Sequence, residues 1–186
     1  MQSFVLLLRG INVGGKNKVP MADFKNHLEL AGFNNVVTYI QSGNAVIGSS
    51  LSAKEVSEKV EAILETNFAL DSKVRVLAIE HESYRKVVSE APAEFQSPSD
   101  EYRYDVIFLI DRDAEAAFEE TPVKEGLDKK WLGDEVIYYR RPSQTNPDYT
   151  KTNASRMIQK PVYQNMTVRN WNTTVKMLEL LDSDKS

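Results

Sequence analysis

Residues 4–8, FVLLL, form an unbroken apolar run, the pattern of a strand buried on both faces. In the stretch that follows, PMADFKNHLELAGF, Phe24, Leu28 and Ala31 recur at i, i+4 and i+7 and so share one face of a helix. Pro20 suits its first turn, and Gly32 suits the position just past its end. VVTYI at 36–40 is rich in β-branched and aromatic residues and reads as a strand. QSGN at 41–44 reads as a turn and AVIG at 45–48 as a return strand. Ser52 and Glu55 then form a capping box, in which each side chain satisfies the other's free backbone amide. Val56, Val60, Ile63 and Leu64 make the stripe of a helix ending near Asn67. KVRVLAIE at 73–80 alternates in polarity and reads as a strand. The order β-α-β-β-α-β is that of a ferredoxin-like unit.

The second part of the chain repeats much of this rhythm. A helix is predicted at 81–90, with Tyr84, Val87 and Val88 inward, and a loop at 91–100. YRYDVIFLI at 102–110 is a strand, 114–120 a helix, and 129–141 a hairpin turning at Gly133-Asp134. Helices are predicted at 152–159 and 168–181, the last with Trp171, Val175 and Leu178 on one face. The expected fold is α+β: two ferredoxin-like or βαββ halves with mixed, largely antiparallel sheets and a closing C-terminal helix. The expected domains are residues 1–80 and 81–186. The halves share no clear residue identity, so this duplication rests on element order.

With 186 residues, 41% of them hydrophobic and 27% charged, the chain can bury roughly 70% of its unfolded surface in a core. It has no cysteine, which excludes disulfides, thiolate metal sites and a thiol nucleophile. Five apolar residues before Arg9 are too few for a signal core or a membrane span, so a cytoplasmic location is expected. His27 and His81 have no second ligand at metal spacing, no serine elbow is present, and no cofactor is implied. Asp111 and Asp113 end a strand, where acids already favour the start of a helix.

Charge distribution adds a candidate site. Residues 140–176 carry Arg140, Arg141, Lys151, Arg156, Lys160, Arg169 and Lys176 against Asp148 alone, in a chain of net charge −4. The first 22 residues are also basic, with Arg9, Lys16 and Lys18 and no acid. Between the first strand and helix lies RGINVGGKNK. Residues 10–17 are one residue from the phosphate-binding pattern G-x-x-x-x-G-K-[ST], with Asn17 where a hydroxyl would meet magnesium. Pro20 starts the helix too late for its N-terminus to face a phosphate, which argues against a nucleotide-hydrolysing loop. A looser anion site remains. Glycines let successive amides converge on an anion. In a βαββαβ unit the first two strands end at the same sheet edge, which places QSGN beside the glycine loop. The candidate ligand residues are Arg9, Asn12, Gly14, Gly15, Lys16 and Asn17 on the loop, and Gln41, Ser42 and Asn44 on the turn. The implied partner is an anionic small molecule or nucleotide.

Three blocks, RGINVGGKNKVPM, GF-x4-TYIQSGN and TVRNW-x-T-x2-K, resemble the domain-of-unknown-function 1697 family, an uncharacterised and mainly bacterial group. The resemblance runs from Arg9 to Leu178, with little contributed by residues 50–150. It implies a compact α+β fold and leaves the activity open. In the third block Thr167 is expected to cap the last helix, and Arg169, with its fork of donors, joins the candidate ligand residues. Two other functions stay open. An RNA-binding module would use the basic 140–176 face and the interleaved Tyr138, Tyr139, Tyr149, Tyr163 and Trp171. A structural or interaction protein would use both loops only to stabilise the fold. The tyrosine pair at 138–139 permits a partner surface, and the sequence leaves the oligomeric state open.

Overall fold

The computed structural model describes residues 1–183. It divides into two compact units, Met1–Lys86 with Val175–Ser186, and Val87–Thr174. The sequence placed this boundary six residues earlier and left the whole last helix with the second half.

The first unit contains β1 (Gln2–Arg9), α1 (Met21–Leu30), β2 (Asn34–Tyr39), β3 (Asn44–Ser49), α2 (Ala53–Asn67) and β4 (Arg75–Glu80), and then the start of α3 (His81–Ser89). Its sheet order is β2-β3-β1-β4. Every pairing is antiparallel, so the mixed sheets allowed for by the sequence are absent among the described residues. Phe24 and Leu28 of α1 and Val56, Val60 and Leu64 of α2 pack on one sheet face with Phe4, Leu6 and Leu8. The capping box forms as predicted: Ser52 N donates to Glu55 Oε2 at 2.9 Å, and the Ser52 hydroxyl accepts from the Glu55 amide. Strands β1 and β2 each lie antiparallel to β3, so both end at the same edge of the sheet.

The second unit contains α4 (Ala93–Gln96), β5 (Tyr102–Leu109), α5 (Ala114–Glu120), β6 (Lys129–Leu132), β7 (Val136–Pro142) and β8 (Met166–Asn170), and it includes the start of α6 (Trp171–Ser183). The sheet order β6-β7-β5-β8 repeats the first unit's pattern strand for strand. Each unit is thus a four-stranded antiparallel sheet whose last strand runs directly into a helix.

Three expectations fail here, each for a local reason. The helix predicted at 152–159 is replaced by three 3-10 segments, Tyr149–Lys151, Ala154–Gln159 and Pro161–Asn165. Asn146 and Thr152 accept from the amides of Asp148 and Ala154, local bonds that compete with α-helical ones, and Pro161 lacks a donor. The helix predicted from 168 starts at Trp171, because 166–170 supply β5 with its second neighbour. Thr167 is accordingly a buried strand residue, and it is Asn170 Oδ1 that accepts from the Asn172 amide at the helix start. The loop predicted at 91–100 holds α4, whose Phe95 is fully buried. Its ring meets Tyr104, Trp131, Tyr138 and Trp171 edge-on, with centroids 5.1–5.8 Å away. Tyr138 and Tyr139 are likewise buried and donate to the carbonyls of Val87 and Pro122, so they offer no partner surface. Among the described residues no helix is long and apolar enough to cross a membrane.

Candidate functional site

The glycine loop of the first unit is a small hairpin. Gly14 and Gly15 sit at its tip with φ of 60° and 78°, the two positive values that a type I′ turn needs. Lys16 N donates to Val13 O, and Asn12 N to Asn17 O, both at 3.1 Å. Asn12 then acts as a clamp. Its Nδ2 donates to Gln41 O at 2.8 Å and Val19 O at 2.9 Å, and its Oδ1 accepts from Val19 N. Asn17, buried where Asn12 is half-buried, ties the loop to the chain before β4. Its Oδ1 accepts from the amides of Asp71 and Ser72, its Nδ2 donates to Gly10 O, and its amide donates to Asp71 Oδ2 at 2.8 Å. Both asparagines hold positive φ, which their short polar side chains tolerate.

The QSGN turn docks against this hairpin. Leu8 N donates to Gly43 O at 2.8 Å. Gly43 has φ of 77°, and a Cβ there would lie 2.7 Å from Leu8 Cβ and 2.8 Å from Ile11 Cδ1. Asn44 is 0% exposed and closes the turn from inside, donating to Tyr39 O and Ser42 Oγ. Loop and turn therefore meet as the topology requires, through Asn12 and Gly43. The amides of residues 12, 16 and 17 are donated inward, and an acid, Asp71, sits on the last of them. Lys16, Gln41 and Ser42 are exposed at the surface, and Arg9 is half-buried directly across the ladder from Arg75.

Arg169, in the second unit, is buried on β8. It donates to Thr167 Oγ1 and to Val168 O, each at 2.9 Å. It pairs with Val106 across the sheet, and so lies on the face opposite Asp105.

A more open arrangement of charge lies on the Asp105 face. Arg103 of β5 and Arg141 of β7 are direct partners in the ladder, where two like charges repel. Asp105, two residues along β5 and 3% exposed, holds them both. Arg103 Nε donates to its two oxygens at 2.9 and 3.1 Å, and Arg141 Nε donates to Oδ2 at 3.3 Å. One carboxylate thus neutralises one of two guanidiniums, and both are held through Nε. The terminal amino groups of both are left without a hydrogen-bond partner among the described residues.

Arg141 stands between two cavities, and Arg103 lines one of them. One, of about 590 Å³, has a mixed lining: Arg103, Arg141, Ser143 and Asn170 stand there with the acid Asp100 and the rings of Tyr102 and Trp171. The other, of about 480 Å³, lies between the sheet and the 3-10 segments and is lined by Ile107, Tyr139, Met157, Ile158, Tyr163 and Val168, with Asp105 and Arg141 at its polar end. Arg141 and Tyr149 belong to both. Asp128 fixes the 3-10 stretch from below: it accepts from the amides of Lys124 and Asn153 and from the Thr152 hydroxyl. Burial, reinforced by Asp128, pushes the Tyr139 hydroxyl far above the usual tyrosine range, so it stays neutral. No group of three acidic or histidine side chains among the described residues is placed to hold a metal ion.

The sequence reading passed over Arg103 and Asp105, and gave Arg141 and Tyr149 only to the basic face. The signal was present in YRYDV opposite YYRRP, two arginines brought together by a hairpin register with an acid two residues along. Of the basic residues at 140–176, Arg140, Arg141, Lys151 and Lys176 are paired with acids. Tyr138, Tyr139 and Trp171 are buried and present no free ring to a base.

Two ferredoxin-like units in one chain, with a clamped glycine loop in the first and an arginine-lined cleft in the second, define the class of this protein. The chain belongs to the family described as protein of unknown function DUF1697, whose model matches residues 1–138. The first two sequence blocks lie within that span, and the third lies beyond it. A solved structure described as a conserved bacterial protein from Streptococcus pneumoniae is similar along almost the whole length. It is 29% identical, over 97% of this chain and 98% of that one, with a TM-score of 0.80. No curated protein matches the chain.

Proposed function

We propose that this protein binds an anionic small molecule, and that the anion is received by Arg103 and Arg141 in the second unit. The observation that carries this reading is the unbalanced Arg-Asp-Arg group. The guanidiniums are pre-set by a nearly buried carboxylate, and each keeps its terminal amino groups for a carboxylate or phosphate. Order imposed before binding lowers the entropy lost on binding. In the same wall the hydroxyls of Ser143 and Thr145 donate to the Asp100 carbonyl, so the two guanidiniums carry the recognition. The glycine loop is the weaker candidate for the same chemistry. Its inward-donated amides and the Asp71 carboxylate favour a structural clamp.

A thermal-shift panel of inorganic phosphate, nucleotides, simple carboxylates and sugar phosphates tests the assignment on the wild type, Arg141→Met and Lys16→Ala. A ligand at 100 times its Kd stabilises by about 2.7 kcal/mol, which in a chain of this size raises Tm by roughly 5 to 10 °C. The expected pattern is a shift kept by Lys16→Ala and lost by Arg141→Met. The reverse pattern returns the site to the glycine loop, and a shift with none of the anions removes the reading altogether.

A further inference from the structure

The second unit repeats the strand order of the first but covers its sheet differently. In the first unit α2 covers its share of the sheet face with Val56, Val60 and Leu64, all fully buried. In the second, three 3-10 segments occupy that position in the chain order and contribute Met157 and Val162 to the core. A 3-10 segment is narrow and its side chains eclipse, so it covers a sheet less completely than an α-helix does. The space left over is the apolar cavity of about 480 Å³, within the usual size of a small-molecule site. Its walls are Ile107, Tyr139 and Val168 from the sheet and Met157, Ile158 and Tyr163 from the covering segments. At its end stand Asp105 and Arg141, and Arg141 is shared with the cavity of about 590 Å³.

We infer, resting on the anion reading above, that the ligand is amphipathic: one anionic group on an apolar body of several carbons. The anion meets Arg103 and Arg141, and the body lies in the cavity between the sheet and the 3-10 segments. A purely polar anion would leave that apolar wall wet, and a purely apolar molecule would leave both arginines without an added partner. A carboxylate and a phosphate satisfy the arginines through the same bidentate geometry, and the two are separated by experiment.

The test is calorimetric titration with straight-chain carboxylates of increasing length, the matching alkyl phosphates and the matching alcohols. Each is run on the wild type, Arg141→Met and Val168→Phe. Burial of each added methylene tightens Kd about fourfold until the cavity is full. Arg141→Met weakens every anion roughly tenfold or more and leaves the dependence on length intact. Val168→Phe, which fills the cavity from a strand position, flattens that dependence and spares the short anions. The better of the two anion series names the head group. Short and long anions binding alike overturn this inference and leave the anion reading standing. Alcohols binding as tightly as acids, with no effect of Arg141→Met, overturn the anion reading and leave the apolar cavity. No binding by any of the three series overturns both.

Discussion

Gly43→Ala is the sharpest test of how the two loops of the first unit are joined. Two separate penalties act at this position. A residue with a Cβ is forced to hold φ of 77°, which costs roughly 1–2 kcal/mol. The new methyl also lies 2.7 Å from Leu8 Cβ and 2.8 Å from Ile11 Cδ1. The end of Ile11 can turn aside, but Leu8 Cβ is fixed by the β1 backbone, which pairs on both sides with β3 and β4. Overpacking of that kind adds roughly 1–3 kcal/mol. The sum, about 2–5 kcal/mol, lowers Tm by roughly 4 to 20 °C in a chain of this size. Gly14→Ala is the internal control. It has φ of 60° but open space around the added methyl, so it should lose only the backbone share. Urea denaturation of the three proteins, followed by circular dichroism, reads the difference. Equal destabilisation by the two alanines would refute the close approach of the turn to Leu8 and Ile11 as the reason for a glycine there.

Four further outcomes are expected. Asn12→Ala removes three hydrogen bonds and leaves the Gln41 and Val19 carbonyls to find water, costing about 2–4 kcal/mol in urea melts, whereas exposed Lys16→Ala stays within about 0.5 kcal/mol of the wild type. Phe95→Ala removes the ring on which four aromatic residues of the second unit converge and costs about 3–5 kcal/mol, read as an early loss of near-ultraviolet dichroism on heating. Asp105→Asn leaves two opposed arginines without the carboxylate that pairs with both. Both are partly solvated, so the loss is about 1–3 kcal/mol, and it is eased by added phosphate or sulfate if the guanidiniums take up anions. Glu94 is held below the usual carboxylate range by its hydrogen bond from Lys129, with Arg140 adding to the pull. Its contribution is therefore present above the ordinary glutamate pKa and is lost as pH falls through the lowered folded value. Glu94→Gln should be less stable than the wild type at neutral pH, and the two melting curves should converge in acid.

Much of the architecture was legible because it rests on local patterns. FVLLL, the VxxxV stripe of α2 and the Ser52-Glu55 box each name one element, and their order names the fold. The errors have a shared cause. Residues 152–159 and 166–170 are short, and their states are set by the sheet beside them and by side-chain bonds to neighbouring amides. Phe95 is a single aromatic in a proline- and serine-rich stretch, and nothing within five residues signals its burial. The candidate site divided in the same way. The topology of a ferredoxin-like unit was enough to bring the glycine loop to the QSGN turn, and Asn12 and Gly43 make that junction. It was not enough to say which way the amides point, and Asn17 with Asp71, 54 residues apart, decides that. The Arg103-Asp105-Arg141 group depends on the register between β5 and β7, where a slip of one residue would put Arg141 on the other face.

The most direct measurement is a nuclear magnetic resonance titration that watches the arginine Nε–H signals and the glycine amides together while phosphate, and separately a simple carboxylate, is added. Anion binding at the cleft moves the Arg103 and Arg141 signals along one saturable curve and leaves Gly14 and Gly15 where they were. Movement of the Gly14, Gly15 and Lys16 amides, with Arg103 and Arg141 unchanged, would contradict the placement of the anion. Signals that do not move with either anion would contradict the function itself.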